Sequence, residues 1–220
     1  MKHNLIFIFI FLPVMTVFGQ TFNVQVGPSF SKSNWENIGS SDHNSLLEDK
    51  VVGISGSLGA EYWNKKYFNL SSNIGFVQKG GKDSIWTVFG PPEPLPLFPY
   101  KLKLNYLTVN TLIVARIPVK DAIFPYLFVG PRVDYLVSYK EDSPDIIQGY
   151  ADKDKVNYLN YGFITGIGIN YKFDKFLLGV VYNYNINLNN LVDFKWTSSG
   201  TTYKISDNTY TLNLQIGYKL

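Results

Sequence analysis

The sequence predicts an all-β protein: an eight-stranded antiparallel transmembrane β-barrel wound as an up-and-down meander. Three observations carry this reading. The chain ends on a strictly alternating segment, in which Tyr210, Leu212, Leu214, Ile216, Tyr218 and Leu220 are apolar or aromatic. Thr211, Asn213, Gln215, Gly217 and Lys219 between them are small or polar, the pattern of a strand with one greasy and one wet face. Similar segments recur along the chain, joined alternately by long polar and very short connections, the layout of an outer-membrane barrel. Beyond the N-terminus no stretch is apolar enough for a transmembrane helix, so membrane residence has to be built from strands.

The N-terminus reads as an export signal. Lys2 and His3 open it, Leu5 to Phe18 is apolar except for Thr16, and Val17-Phe18-Gly19 precedes the cleavage point. Residues 1–19 are thus the expected signal peptide and 20–220 the barrel domain, with Gln20 as the first mature residue. The chain has no cysteine, which removes disulfides, thiolate metal sites and lipid attachment at a cysteine. A closed strand ladder is another way to stabilise an exported chain. The formal charge of +3 is too small to argue for nucleic acid.

The strands follow in order. The first, Phe22 to Ser31, sets Phe22, Val24, Val26 and Phe30 against Asn23, Gln25, Gly27 and Ser29. The second, Val51 to Trp63, opposes Val52, Ile54, Leu58, Ala60 and Tyr62 to Gly53, Ser55, Ser57, Gly59 and Glu61. In the third, Tyr67 to Gln78, Phe68, Leu70, Ile74 and Phe76 face away from Asn69, Ser71, Asn73 and Gly75. The fourth, Leu102 to Ile117, is ambiguous, because Leu112 and Val114 share a face with Tyr106, Thr108, Asn110 and Arg116. The fifth, Tyr126 to Tyr139, sets Leu127, Val129, Val133, Tyr135, Val137 and Tyr139 against Gly130, Arg132, Asp134 and Ser138. The sixth, Tyr158 to Phe173, opposes Tyr161, Phe163, Ile167, Ile169 and Tyr171 to Gly162, Gly166, Gly168, Asn170 and Lys172. The seventh, Phe176 to Leu188, alternates Leu178, Val180, Tyr182, Tyr184 and Ile186 with Gly179, Asn183, Asn185 and Asn187. The eighth is the closing segment from Asn208.

Lys32–Lys50, Lys79–Lys101, Glu141–Asn157 and Asn189–Asp207 are the expected long loops; Asn64–Lys66, Pro118–Ile123 and Asp174–Lys175 are the short turns. Aromatics cluster at both ends of the strands as two interfacial girdles would, with Phe22, Phe68, Tyr126, Phe173, Phe176 and Tyr218 at the short-turn end and Phe30, Phe76, Tyr139, Tyr161, Tyr184 and Tyr210 at the other.

Three segments resemble the PorT-like outer-membrane β-barrel family: YLTVNTLIVARIP from Tyr106, PYLFVGPRVDYLVS from Pro125 and YGFITGIGINYKF from Tyr161. The resemblance covers most of the mature chain. It implies an OmpA/OmpX-like barrel in a Gram-negative outer membrane, with a role in protein secretion or envelope maintenance.

Candidate chemistry is sparse. Glu61, Arg116, Arg132, Asp134 and Lys172 fall on the expected inner face. In so narrow a barrel side chains fill the interior, so these charges are expected to pair and plug it rather than line a pore. The run Gly90-Pro91-Pro92-Glu93-Pro94-Leu95-Pro96-Leu97-Phe98-Pro99 is expected to be a stiff external segment whose Pro92, Leu95, Leu97 and Phe98 either meet a partner or fold over the barrel mouth as a lid. Its prolines are not expected to extend the fourth strand, because they cannot donate ladder hydrogen bonds. His43 in one loop and Asp83-Ser84 in another resemble the arrangement in barrel-type lipid A palmitoyltransferases. That reading needs His43 as base beside Ser84 as nucleophile. No metal-ligand cluster and no phosphate loop is present, and no cofactor is expected.

The sequence therefore reads as a non-enzymatic outer-membrane barrel. Its partners are outer-membrane lipid and, through the external loops, envelope or secretion proteins. The alternatives are a lipid A-modifying acyltransferase and a soluble lipocalin-like barrel; the latter requires apolar side chains inside and polar ones outside.

Overall fold

The computed structural model describes residues 21–38, 49–63, 65, 67–85, 98–117, 119, 122–141, 157–195 and 202–220. They form nine strands: β1 (Thr21–Ile38), β2 (Asp49–Tyr62), β3 (Phe68–Ile85), β4 (Phe98–Arg116), β5 (Ile123–Glu141), β6 (Leu159–Phe173), β7 (Phe176–Asn187), β8 (Val192–Lys195) and β9 (Thr202–Lys219). Consecutive strands from β1 to β7 pair antiparallel, β7 pairs with β9, and β9 returns to β1. Eight strands thus close the barrel, and no edge is left along its circumference. β8 is a four-residue addition that pairs only with the outer part of β9, Val192 opposite Ile205.

The alternation in sequence becomes an inside and an outside, inverted relative to a soluble protein. Phe22, Val24, Val26, Ile54, Leu58, Ile113, Ile167, Leu178, Leu214 and Ile216 are exposed on the outer wall. Asn23, Ser29, Ser55, Asn73, Asn110, Asn183, Thr211, Asn213 and Gln215 are buried within. A lipocalin-like barrel would show the reverse, so the soluble reading is overturned. Aromatics bracket the apolar band: Phe30 stacks on Tyr210 at 5.1 Å at the long-loop end, and Phe176 meets Tyr218 edge-on at 5.2 Å at the short-turn end. Two-residue closure at Asp174-Lys175, with φ of 52° at Asp174, joins β6 to β7.

Several expectations need correction. The strands run further into the expected loops: β1 to Ile38, β3 to Ile85, and β9 from Thr202. A tilted strand needs only about 9–11 residues to cross a bilayer. At 18 or 19 residues, β1, β3, β4, β5 and β9 continue as a ladder past the external girdle. Asp83 and Ser84 accordingly lie in β3 rather than in a loop, Ser84 opposite Pro99; His43 is outside the described residues. Phe98 and Pro99 open β4, contrary to the expectation that the proline run stops short of it. Pro99 is tolerated there because β4 pairs with β5 only from Leu102 onward, so one side of the strand carries no ladder at that point. Pro92, Leu95 and Leu97 lie outside the described residues.

Two more differences concern which way side chains point. Tyr126 belongs to the lumen, not to a girdle: it is buried, and its hydroxyl donates to Gln215 Oε1 across the bore at 3.1 Å. A one-residue bulge in β5 shifts the register, with Asn105 opposite Ser138 but Tyr106 opposite Leu136. Leu136 keeps the inward parity of Arg132 and Asp134, and beyond the bulge Ser138 turns out, so Ser138 is exposed rather than luminal.

Candidate functional site

The lumen is built in three layers. The layer nearest the long loops is ionic. Lys79 of β3 lies 2.8 Å from Asp134 Oδ2 of β5 and 3.2 Å from Asp207 Oδ2 of β9. Arg132 pairs with the same Asp134 oxygen, two residues along its own strand, and donates to Asn187 Oδ1 of β7. Asn187 in turn donates to the Asp207 carbonyl at 2.6 Å. Lys79 Nζ also sits 4.8 Å from the centre of the Tyr106 ring. The four charged side chains are at most 1% exposed. Two cations meet two carboxylates, and the contacts tie β3, β5, β7 and β9 together across the bore.

The middle layer has two kinds of wall. On the β4–β7 side Leu112, Val114, Tyr126, Phe128, Ile164 and Val181 form an apolar cluster. The rings of Phe128 and Tyr126 occupy space that side chains at Gly166 and Gly168 would otherwise fill. The facing wall is amide and hydroxyl: Ser55 donates to Asn213 Oδ1 at 2.7 Å, Asn73 to Asn110 Oδ1 at 2.8 Å, and Asn183 to Thr211 Oγ1 at 2.7 Å. A cavity of about 70 Å³ between the walls has room for a few water molecules.

The layer nearest the short turns holds a second ion pair. Arg116 of β4 reaches across β3 to Glu61 of β2, and Asn69 Nδ2 lies 3.5 Å from the same carboxylate. Lys172 joins neither pair; it is exposed at the short-turn mouth. The five inward charges read from the sequence thus fall into two separate pairs, Arg132 with Asp134 and Glu61 with Arg116, plus Lys172 alone at the mouth. Lys79 and Asp207, which complete the outer cluster, fall in the sequence within the expected long loops Lys79–Lys101 and Asn189–Asp207. The signal that finds them is parity: Lys79 continues the inward series Asn73, Gly75, Val77, and Asp207 precedes the inward series Thr209, Thr211, Asn213.

Among the described residues no three His, Cys, Asp or Glu side chains are grouped to hold a metal. Each buried charge of the lumen holds its partner, because stranding one of them would cost several kcal/mol, on the order of 3–5.

A family model described as outer membrane protein beta-barrel domain matches residues 18–193. Among solved structures, the outer membrane protein OprG from Pseudomonas aeruginosa is similar at a TM-score of 0.58 with 12% identity, over 93% of this chain and 97% of that one. Outer Membrane Protein W of E. coli gives 0.43 and 11% identity over 94% and 100%. Ail, the attachment invasion locus protein of Yersinia pestis, gives 0.40 and 12% over 93% and 100%. Comparison with curated proteins finds no match. At such identities the likeness is one of fold.

Proposed function

The chain belongs to the outer membrane protein beta-barrel domain family, and from that premise we propose that it acts in the outer membrane as a non-enzymatic, non-conducting scaffold whose external segments engage envelope or secretion proteins. The observation that carries this reading is the outer ionic layer: Lys79, Arg132, Asp134 and Asp207 fill the bore with mutually paired, buried side chains. A channel would spend that cross-section on water. Glu61 with Arg116 adds a second constriction below. The resemblance to PorT-like barrels supports the secretion or envelope role. Residues 1–19 serve, on this account, as the export signal, and the mature barrel begins at Gln20.

The partner surface on this reading is the proline segment: its sequence combines Pro92, Leu95 and Leu97 just before Phe98 at the start of β4, and proline at this density favours an extended chain. Loops of a closed barrel contribute little to its ladder, so removing residues 91–97 is expected to leave folding intact. Heat-modifiable gel migration reads the fold, and co-purification from outer-membrane extracts reads the partner. A folded variant that loses bound envelope protein is the expected result. A folded variant that keeps every partner of the intact chain removes this segment from the account.

A further inference from the structure

At the short-turn end the barrel opens into a second cavity, of about 260 Å³. Its lining is lopsided in charge. Lys65, Arg116, Lys172, Lys175 and Lys219 are cationic, and among the described lining residues Asp174 is the one carboxylate. Arg116 is engaged by Glu61 from above. Lys172 follows Asn170 by two residues on β6, and Lys219 follows the buried Gly217 by two on β9, so both lean over the mouth and not onto the lipid-facing wall. Backbone bonds hold them there: Lys172 N–H donates to Ala122 O and Lys219 N–H to Lys175 O, at 2.7 and 2.8 Å. Like charges gathered in a concave mouth repel one another unless an anion neutralises them.

A second observation points the same way. Asn170 lines this cavity, is 1% exposed, and neither its Oδ1 nor its Nδ2 has a hydrogen-bond partner. Arg116 Nε is likewise buried and unpartnered. Buried donors left unmade cost about 1–3 kcal/mol each. The placement of Asn170 is fixed by its neighbour: at Gly179 any side chain would collide with the Asn170 amide.

We propose that this mouth binds a phosphate-type oxyanion, free or carried as the headgroup of an inner-leaflet phospholipid. Asn170 Nδ2 and Arg116 Nε are its neutral and cationic donors, and Lys172 and Lys219 supply the charge. A tetrahedral oxyanion presents acceptor oxygens in several directions and so can meet donors on different sides of the mouth, where a planar carboxylate presents its two oxygens along one edge. The site gives Lys172 a role separate from the lumen pairs and does not depend on the scaffold reading.

The test is calorimetric titration of inorganic phosphate into the purified full-length barrel in neutral-detergent micelles, with chloride at matched ionic strength as reference. Saturable phosphate binding is expected, weakened about tenfold or more in Lys172→Gln/Lys219→Gln, as the loss of charge-assisted bonds implies. Asn170→Leu is expected to weaken it as well. Lys32→Gln/Lys50→Gln removes the same charge at the other end of the barrel and is expected to leave affinity within about twofold, since exposed charges that far away are screened. Heat-modifiable migration confirms that each variant is folded. The lysine pair lies at exposed positions and carries the test should Asn170→Leu misfold. No saturable heat beyond chloride, or equal weakening by the two lysine pairs, overturns the site. Repeating the titration in nanodiscs separates the sources. Loss of phosphate binding in phosphatidylglycerol but not phosphatidylcholine discs assigns the headgroup, and retention in both assigns the free anion.

Discussion

Replacing Lys79 by Met is expected to destabilise the folded barrel by about 3–5 kcal/mol, the cost of breaking a buried ion cluster from one side. Lys79 is the only cation within 4 Å of Asp207 among the described residues, at 3.2 Å, and both side chains are sealed from solvent. Asp134 retains Arg132, so the loss falls chiefly on Asp207. The double variant Lys79→Met/Asp207→Leu removes the stranded charge with its partner and is expected to recover most of the stability. Urea titration of the barrel refolded into lipid vesicles measures both. The non-additivity of the pair is the informative quantity, since residues in direct contact couple where distant ones add. A single variant within about 1 kcal/mol of the parent, the range of solvent-exposed pairs, would show that the cluster is not buried as described.

The second large effect concerns the outer wall. Leu214 is 64% exposed, midway on β9 between the girdle residues Tyr210 and Tyr218, and sits between Val26 of β1 and Val180 of β7. All three face outward and form part of the apolar band. Leu214→Arg is expected to cost about 2–4 kcal/mol in a bilayer, the penalty for a cation near the midplane. Asn208 lies on the same face of the same strand, beyond the girdle residue Tyr210 and opposite Lys32. Asn208→Arg is expected to cost no more than about 1 kcal/mol, because the penalty fades toward the interface. The control has to be one of depth: the inward neighbours Asn213 and Gln215 are buried in the packed lumen, where a longer side chain is costly for a different reason. Equal costs at the two positions, read by the same titration, would contradict the assigned bilayer placement.

These two sites also show which parts of the molecule the sequence discloses. Leu214 is legible because a strand with lipid on one side and amides on the other alternates with a period of two, which fixes the strand though not which face is outside. Phe22 to Phe30, Val52 to Tyr62 and Tyr161 to Tyr171 read the same way, and together they specify a meander of eight strands. The signal fades where lipid ends. In Ser31-Lys32-Ser33-Asn34 both faces of β1 meet polar surroundings, so the ladder continues while the alternation vanishes. Lys79 and Asp207 sit in just such stretches of β3 and β9, which is why half of the outer ion cluster reads as loop. Arg132 and Asp134 are two apart within a clearly alternating strand, so their shared face is visible from spacing alone. The β5 bulge at Val137 is invisible for another reason: it is a property of two strands paired together, and neither carries its mark separately. Tyr126 was misplaced because an aromatic near a strand end suits both a girdle and a lumen; only the parity set by Phe128 and Gly130 decides for the lumen.

The central claim is that paired side chains close the bore. Planar-bilayer recording of the purified, refolded barrel tests it most directly. No steady conductance above the bare membrane is expected at either polarity, because Lys79, Arg132, Asp134 and Asp207 obstruct the outer layer and Glu61 with Arg116 the inner one. A stable ohmic conductance that scales with salt, from protein shown to be folded, would contradict it.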